Sequence, residues 1–209
     1  MKRKKKSNRA RIVAEAQLPT RLGAFRILGI EGTGHGEEAV AVVRGKLNGS
    51  SANRMRPALL RIHSQCLTGD VFKSERCDCR AQLEYSLRKI AREPLGIVLY
   101  LPQEGRGIGL LNKLKAYELQ DRGLDTVEAN RKLGFEADSR DYDFAARALK
   151  AMGIRSVRLL SNNPEKVRQL EGAGIRVAQR VPCRPRTSHH SKAYLRTKKN
   201  KLGHLLAGL

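Results

Sequence analysis

Three of the four cysteines in this 209-residue chain lie within fourteen residues of one another, in the pattern Cys66-x10-Cys77-x-Cys79. Clustered thiols suit a reducing compartment, where they bind metal ions, better than they suit a disulfide framework. The spacer is polar and long enough to fold back, and the two sulfurs of a Cys-x-Cys pair can face one ion. We therefore expect the chain to fold around a zinc-like site.

The spacing alone leaves the kind of site open. Catalytic zinc sites keep three protein ligands and leave the fourth position to water, whereas structural sites usually close with four. The three clustered cysteines match the open form, but Cys183 or His63 as a fourth ligand would make the site structural, and three buried cysteines without metal are a further alternative. An open zinc ion lowers the pKa of its bound water toward about 7, which favours hydrolysis. Because thiolates weaken the Lewis acidity of the metal, neighbouring residues must help to hold and deprotonate the water.

Apolar patterning places strands and helices alternately along the chain. Short apolar segments around a glycine-rich loop predict a β-rich N-terminal third. Continuous apolar runs predict buried strands at 58–62, 96–101, 157–160 and 175–181. Helices are predicted at 83–90, 110–120 and 141–152 and from Pro164 onward, with Leu110, Leu114 and Tyr117 on one face of the second. The expected class is α/β (α+β if the first strands pair antiparallel), with a mixed sheet flanked by helices in a single principal domain.

The net charge of +22 suggests a nucleic-acid binder, but the charge is concentrated at the two ends. Residues 1–11 carry seven basic side chains and residues 172–209 carry nine, both without an acidic one. We expect a basic tail at 1–11, a domain at 12–206, and weak nonspecific attraction of nucleic acid to the ends. A nucleic-acid-binding module with a closed structural zinc is the alternative. The chain has no long apolar run and no signal-peptide pattern, so we expect it to be cytoplasmic.

Two polar strand-to-helix junctions are candidate ligand loops. Residues 103–109 combine glycines with a carboxylate and a guanidinium, which suits a purine edge and a phosphate, although a structural turn is equally compatible. Residues 161–166 combine a hydroxyl, a helix N-terminus and a lysine, which suits an anion. An ordinary helix cap followed by a solvated lysine is the alternative there. The acids of residues 138–141 are likewise either functional or caps of the next helix.

The order and wording of these segments resemble the GTP cyclohydrolase II family over residues 13–206. The matching motifs are RIHSQCLTGD at 61–70, RCDC at 76–79, QEGR at 103–106, GLLNK at 109–113, DTVEAN at 125–130, LGF at 133–135 and LLSNNP at 159–164. The resemblance implies a zinc-dependent hydrolase that converts GTP to 2,5-diamino-6-(5-phosphoribosylamino)pyrimidin-4(3H)-one, formate and pyrophosphate, the first step of riboflavin biosynthesis. It also implies one Zn²⁺ per subunit, Mg²⁺ with the triphosphate, and a homodimer. The chain has no room for the synthase domain fused to many relatives, so we expect the monofunctional form.

The same resemblance implies roles for individual residues. The zinc ligands are Cys66, Cys77 and Cys79, with water completing the tetrahedron. The residues implied to bind GTP are Arg61, Ile62, His63, Ser64, Gln65, Gln82, Glu104, Gly105, Arg106, Thr126, Ser161 and Lys166. Asp138 is the implied proton acceptor, Arg140 the implied nucleophile, and Tyr117 positions the attacking water. Because a guanidinium pKa exceeds about 12, stabilising charge at the α-phosphate is the physically easier role for Arg140.

Three residues depart from the family pattern. Gln65 stands where glutamate is common, Arg80 where glycine is frequent, and Ser161 where threonine is usual. Gln65 keeps an acceptor oxygen but loses a charge, whereas Arg80 adds a cation beside residues 66–79, the metal loop that carries the three cysteines. Because Tyr117 is retained, we expect both hydrolytic steps, ring opening and deformylation. A family member that only binds GTP, or makes a different pyrimidine, is the remaining alternative.

Overall fold

The computed structural model describes residues 9–47, 56–185, 192–203 and 205. The strands are β1 (Ala10–Thr20), β2 (Gly23–Gly32), β3 (Glu38–Arg44), β4 (Ala58–Ser64), β5 (Gly96–Leu101), β6 (Ser156–Leu160) and β7 (Arg176–Val181). The helices are α1 (Leu67–Asp70), α2 (Cys79–Ile90), α3 (Leu110–Asp121), α4 (Thr126–Lys132), α5 (Asp143–Ala151), α6 (Pro164–Gly172) and α7 (Lys192–Leu202), and a 3-10 turn covers Glu104–Gly107.

All seven strands join one mixed sheet in the order β1-β2-β3-β5-β4-β6-β7. The ladders from β1 to β5 are antiparallel, and those joining β5, β4, β6 and β7 are parallel. The predicted mixed sheet and β-rich N-terminal third are confirmed. The carboxyl ends of parallel strands meet at one edge of a sheet, and ligand loops gather at such an edge. Here the segments that follow β4, β5 and β6 carry the metal loop and both predicted ligand loops.

The core lies on both faces of the sheet because successive strand side chains point to opposite sides. On one face, Leu60 and Leu99 pack in a large cluster with Leu149 of α5. On the other, Leu59 and Val98 pack in a smaller cluster with residues of α2. Helices therefore flank the sheet as predicted. No helix in the described ranges is long and apolar enough to cross a membrane.

The face of α3 that carries Leu110, Leu114 and Tyr117 is only partly buried. Leu114 is 45% exposed and Leu111 is 72% exposed, whereas the buried residues of this helix are Lys113 and Ala116. Tyr117 is half-buried and faces the metal loop. The helix packs on a polar site and not on an apolar core, so apolar spacing alone did not indicate which residues it buries.

Both basic ends contain regular structure within the described residues. Strand β1 begins at Ala10, inside the segment predicted as a tail, and Arg11 Nε donates to Glu31 Oε1 at 2.7 Å. The C-terminal basic stretch contributes β7 and α7, and Leu195 of α7 is buried. Lys201 pairs with Asp125 and Glu128 at the start of α4, so basic residues here are matched by acids elsewhere. Residues 1–8 and 206 lie outside the described part.

A part-buried ion pair fastens the β2–β3 hairpin to α5. Arg147 of α5 donates to both carboxylate oxygens of Glu37, through Nη1 to Oε2 at 2.9 Å and through Nη2 to Oε1. The same guanidinium donates through Nε to Asp143 Oδ2 at 3.0 Å. The hydrogen bond from Arg147 lowers the pKa of Glu37 below its ordinary value. Glu37 therefore stabilises the folded chain while it is ionised.

We expect Glu37→Gln to lower the free energy of unfolding at pH 7 by roughly 1 kcal/mol. Because the pKa of Glu37 is lower in the folded state, its contribution is present above the ordinary glutamate pKa and is lost as pH falls below it. The variant should therefore lose less stability on acidification than the parent chain. Urea unfolding at neutral and acidic pH measures this, with Glu38→Gln at an exposed neighbour as control. Equal acid sensitivity of the parent and Glu37→Gln would contradict the assignment.

Candidate active site

The three clustered cysteines meet at the carboxyl edge of the parallel strands. Cys66 follows β4, Cys77 lies in the next loop, and Cys79 is the first residue of α2. Their Sγ atoms lie within 4.8 Å of one another, and those of Cys66 and Cys77 are 3.7 Å apart. Tetrahedral zinc with Zn–S bonds of about 2.3 Å separates its sulfurs by about 3.8 Å. The spacing and the chemistry of the donors therefore fit zinc.

Neither proposed fourth ligand joins this cluster. Cys183 is buried in the smaller apolar cluster, where its backbone exchanges two hydrogen bonds with the side chain of Asn162. His63 directs Nε2 to Asp70, at 3.1 Å from Oδ2. Among the described residues, Cys66, Cys77 and Cys79 are the one group of His, Cys, Asp or Glu whose ligand atoms come together in this way. The arrangement favours three protein ligands and an open position.

Asp70 and Gly69 shape the loop beneath the thiols. Asp70 Oδ2 accepts hydrogen bonds from the backbone N–H of Cys66 at 3.1 Å and from the Tyr100 hydroxyl at 2.9 Å. A Cβ on Gly69 would lie 2.9 Å from Cys77 Sγ and 3.2 Å from Cys66 Sγ. Contacts under 3.0 Å essentially do not occur for a Cβ, so only glycine lets the sulfurs converge here.

The thiol cluster lies in the wall of a pocket that is partly open to solvent. The predicted site residues that line the pocket are Cys66, Cys77, Cys79, Ser64, Gln65, Glu104, Gly105, Arg106, Tyr117, Thr126 and Arg140. The predicted residues outside this lining are Arg61, Ile62, His63, Gln82, Ser161, Lys166 and Asp138. Sequence reasoning assigned no individual role to the remaining lining residues, although two of them, Gln103 and Ile108, lie in the predicted ligand loop at 103–109. These residues are Arg76, Gln103, Ile108, Lys113, Ala116, Gln120 and Asn130.

Most of the predicted residues outside the lining are engaged below it, at the ends of β4 and β6. Arg61 donates to the carbonyl of Leu160 at 3.2 Å and to the side-chain oxygen of Gln82. Lys166 is 5% exposed and donates to the carbonyl of Ile62, itself a core residue, at 2.9 Å. The predicted helix cap is present at Asn163–Pro164, but the lysine that follows it is buried and not solvated.

Ser161 belongs to this helix cap. Its hydroxyl accepts a hydrogen bond from the backbone N–H of Asn163 at 3.1 Å, and Asn163 in turn caps α6. The departure from threonine therefore falls at a position that a hydroxyl of either residue can serve.

The glycine-rich loop after β5 packs on the loop that carries the predicted catalytic pair. Arg106 adopts a left-handed φ of 62°, which is uncommon for a residue other than glycine. Its carbonyl accepts from the Ser139 N–H at 3.1 Å, and its Nη1 donates to the Ala137 carbonyl at 3.3 Å. A Cβ on Gly107 would lie 3.1 Å from the Ser139 carbonyl oxygen. The two loops thus hold each other in place.

Asp138 and Arg140 form a two-point ion pair. Arg140 donates through Nε to Asp138 Oδ1 at 2.8 Å and through Nη2 to Oδ2 at 2.5 Å. Removal from water alone would raise the pKa of Asp138, but the hydrogen bonds and charge of Arg140 lower it below the ordinary value. The pair therefore favours an ionised carboxylate and a charged guanidinium. Arg140 lines the pocket, and Asp138 supports it from outside the lining.

Lys113, which sequence reasoning missed, is the buried cation of the site. Its Nζ donates to Glu104 Oε1 at 2.7 Å, to Thr68 Oγ1 at 2.9 Å and to Cys66 Sγ at 3.2 Å. Burial alone would lower the pKa of Lys113, but Glu104 and Cys66 raise it above its ordinary value. The sequence signal that could have identified Lys113 is its place in the GLLNK motif, three residues after Leu110.

The two remaining departures from the family pattern have different surroundings. Gln65 lines the pocket, and its backbone N–H donates to the Leu101 carbonyl at 2.8 Å. Arg80 is absent from the lining. It donates to the Asp70 carbonyl at 2.8 Å and pairs with Glu84 on α2. Its charge therefore supports the metal loop from outside.

Comparison with known proteins identifies a matching family and several similar chains. A family model described as GTP cyclohydrolase II matches residues 10–182. The GTP cyclohydrolase-2 of Azotobacter vinelandii is 52% identical over 197 residues, which cover 94% of this chain and 92% of that protein. The riboflavin biosynthesis protein RibBA of Bacillus cereus is 52% identical over 92% of this chain and 47% of its own length, and that of Mycobacterium bovis is 51% identical over 99% and 49%. The chain thus spans about half the length of these RibBA relatives.

We expect Gly69→Ala to lower zinc affinity by roughly 10- to 100-fold, the range found when the surroundings of metal ligands are disturbed. The reason is that the new methyl group would occupy the space beside the Cys77 and Cys66 sulfurs. Competition with a chromogenic chelator measures the affinity. Gly172→Ala in α6 is the matched control, because a Cβ there has no neighbour within 4 Å. Parent-like zinc affinity in Gly69→Ala would show that the sulfurs do not need this space.

Proposed function

Because the chain belongs to the GTP cyclohydrolase II family, we propose that it hydrolyses GTP to 2,5-diamino-6-(5-phosphoribosylamino)pyrimidin-4(3H)-one, formate and pyrophosphate. This reaction is the first step of riboflavin biosynthesis, and the RibBA relatives are named as riboflavin biosynthesis proteins. The observation that carries the proposal is that the three thiols, Tyr117 and Arg140 line one pocket. A metal-binding cluster, a hydroxyl and a cation thus face the same space.

Cys66, Cys77 and Cys79 would hold one zinc ion, which supplies a Lewis acid that activates water for attack on C8 of guanine and then on the formyl group. The Tyr117 hydroxyl lies 3.2 Å from Thr68 Oγ1 at the edge of the thiol cluster, where it can orient the attacking water. Gln65 offers an amide oxygen and an amide N–H₂ to the base without adding charge. Thr126, at the start of α4, closes another part of the same pocket.

The ion pair of Asp138 and Arg140 supports charge stabilisation as the role of Arg140. A nucleophilic guanidinium must first lose a proton, and a two-point contact with a carboxylate opposes that loss. The same contact fixes the plane of the guanidinium while Arg140 still lines the pocket. Arg140 would then stabilise the charge that develops when pyrophosphate leaves the α-phosphate.

The remaining parts of the proposal concern the phosphates and the assembly. Arg76 and Arg106 also line the pocket and would pair with phosphate oxygens, together with Mg²⁺ bound to the triphosphate. The enzyme would act as a cytoplasmic homodimer with one zinc ion in each subunit. The weak attraction of its basic ends to nucleic acid would be nonspecific and sensitive to salt.

An assay with GTP, Mg²⁺ and Zn²⁺ under reducing conditions tests the proposal. We expect equal amounts of formate and pyrophosphate and a product with the mass of the diaminopyrimidine. Cys77→Ser should abolish formate release because it removes one of three metal ligands, whereas Cys183→Ser, outside the cluster, should retain it. If the parent chain releases neither formate nor pyrophosphate, the proposed function is wrong. A product of different mass would instead identify a different pyrimidine-forming activity.

We expect Tyr117→Phe to separate the two hydrolytic steps. Without the hydroxyl that orients the water attacking the formyl group, the formate-to-pyrophosphate ratio should fall from about one to roughly a tenth or less, because a positioned proton-transfer group contributes about 100-fold or more. Mass spectrometry should then detect the formylated pyrimidine. Tyr85→Phe on α2 is the control, because Tyr85 packs beside the smaller apolar cluster and is absent from the pocket lining. An unchanged ratio in Tyr117→Phe would exclude this role.

A further inference from the structure

The ammonium group of Lys113 is saturated with acceptors inside the site. The residue is 8% exposed, and its three N–H donors match three acceptors at Glu104, Thr68 and Cys66. The ammonium therefore has no donor left for substrate. A buried ammonium whose hydrogen bonds all go to protein acceptors can influence the site only through those acceptors.

We propose that Lys113 is a positioning residue that withdraws charge from the Cys66 sulfur and, through Thr68, directs the Tyr117 hydroxyl toward the pocket. The inference rests on the proposed function and concerns how this chain prepares its three-thiol site. Three thiolates and Zn²⁺ together carry a net charge of −1, and their donation weakens the metal as a Lewis acid. An ammonium 3.2 Å from one sulfur draws electron density back from the metal.

The Thr68 hydroxyl connects Lys113 to Tyr117. Lys113 can only donate, so Thr68 accepts a hydrogen bond from it and keeps one proton to give. The Tyr117 oxygen at 3.2 Å is a nearer acceptor for that proton than Cys66 Sγ at 3.7 Å. When Thr68 donates to Tyr117, the Tyr117 proton is free to point toward the pocket. The ammonium makes the Thr68 hydroxyl a stronger donor and a weaker acceptor, which favours this direction of the hydrogen bond, and without Lys113 that preference is lost.

Neighbouring charges do not duplicate this cation. Arg76 also lies over the Tyr117 ring, with Cζ 4.8 Å from the centroid, but it is exposed and pairs with Asp121. Glu104 balances Lys113 and also accepts from the Leu67 N–H at 2.6 Å, next to the first thiol. Lys113 could therefore also act only by holding Glu104, and the experiment has to separate that structural role from the electronic one.

The test uses Lys113→Met in the full chain loaded with Co²⁺, whose thiolate-to-metal charge-transfer absorption reports the electron density on sulfur. We expect this absorption to move to longer wavelength, because a sulfur without the ammonium gives up its electron more easily. Lys115→Met on the exposed side of the same helix should leave the absorption unchanged. Unchanged absorption in Lys113→Met would overturn the proposal.

A double variant, Lys113→Met with Glu104→Gln, separates the two roles. It removes both buried charges and so should recover much of the thermal stability that Lys113→Met loses. The displaced absorption should persist, because Cys66 still lacks its donor. If the absorption returns to the parent position, Lys113 acts only by holding Glu104 and the proposal is wrong. These measurements need no GTP, so failure of GTP hydrolysis in the parent chain would overturn the proposed function separately.

Thr68→Val tests the connection to Tyr117. The variant removes the hydroxyl but leaves Lys113 in place, so the cobalt absorption should stay close to that of the parent. The formate-to-pyrophosphate ratio should fall, as expected for Tyr117→Phe, because the phenol loses the group that orients it. A parent-like ratio would show that Thr68 does not direct Tyr117.

Discussion

The buried carboxylate of Asp70 is the contact that holds the metal loop to the sheet. It accepts hydrogen bonds from the Cys66 N–H and from the hydroxyl of Tyr100 on β5, and it faces His63 Nε2 on β4 at 3.1 Å. A carboxylate only accepts, so His63 must donate from Nε2. Burial lowers the pKa of His63, which keeps the imidazole neutral at neutral pH. A single side chain thus fixes the first thiol relative to two neighbouring parallel strands.

The other loops are positioned by contacts that start from this fixed segment. The Gln65 N–H donates to the Leu101 carbonyl, which joins the ends of β4 and β5. Glu104 reaches from the next loop to the Leu67 N–H, and the turn that it begins packs on the loop that carries Arg140. Three loops that are distant in sequence therefore share one network of hydrogen bonds. The polar network is buried on the sheet side and open on the pocket side, as a binding site for a charged substrate requires.

Much of the fold and of the metal site follows from the sequence, because both depend on short patterns. Continuous apolar runs identified the parallel strands, and the spacing of the cysteines identified a cluster that the structure brings together. Helical spacing predicted α3 but not its buried residues, because this helix buries Lys113 against acceptors from other segments. In the basic C-terminal stretch, charge alone did not indicate that Lys201 meets acids at the start of α4, which lie more than seventy residues earlier.

Position and not number decides what the charges of this chain can do. Most of the net charge of +22 comes from basic side chains near the two ends. Salt screens the interactions of solvent-exposed charges that lie more than about 10 Å apart. By contrast, the ammonium of Lys113 is buried and lies 3.2 Å from Cys66 Sγ, where screening is weak and the electrostatic interaction is correspondingly stronger. A count of charges along the sequence gives every lysine equal weight, and only the packing of α3 against the metal loop shows that Lys113 touches a thiol.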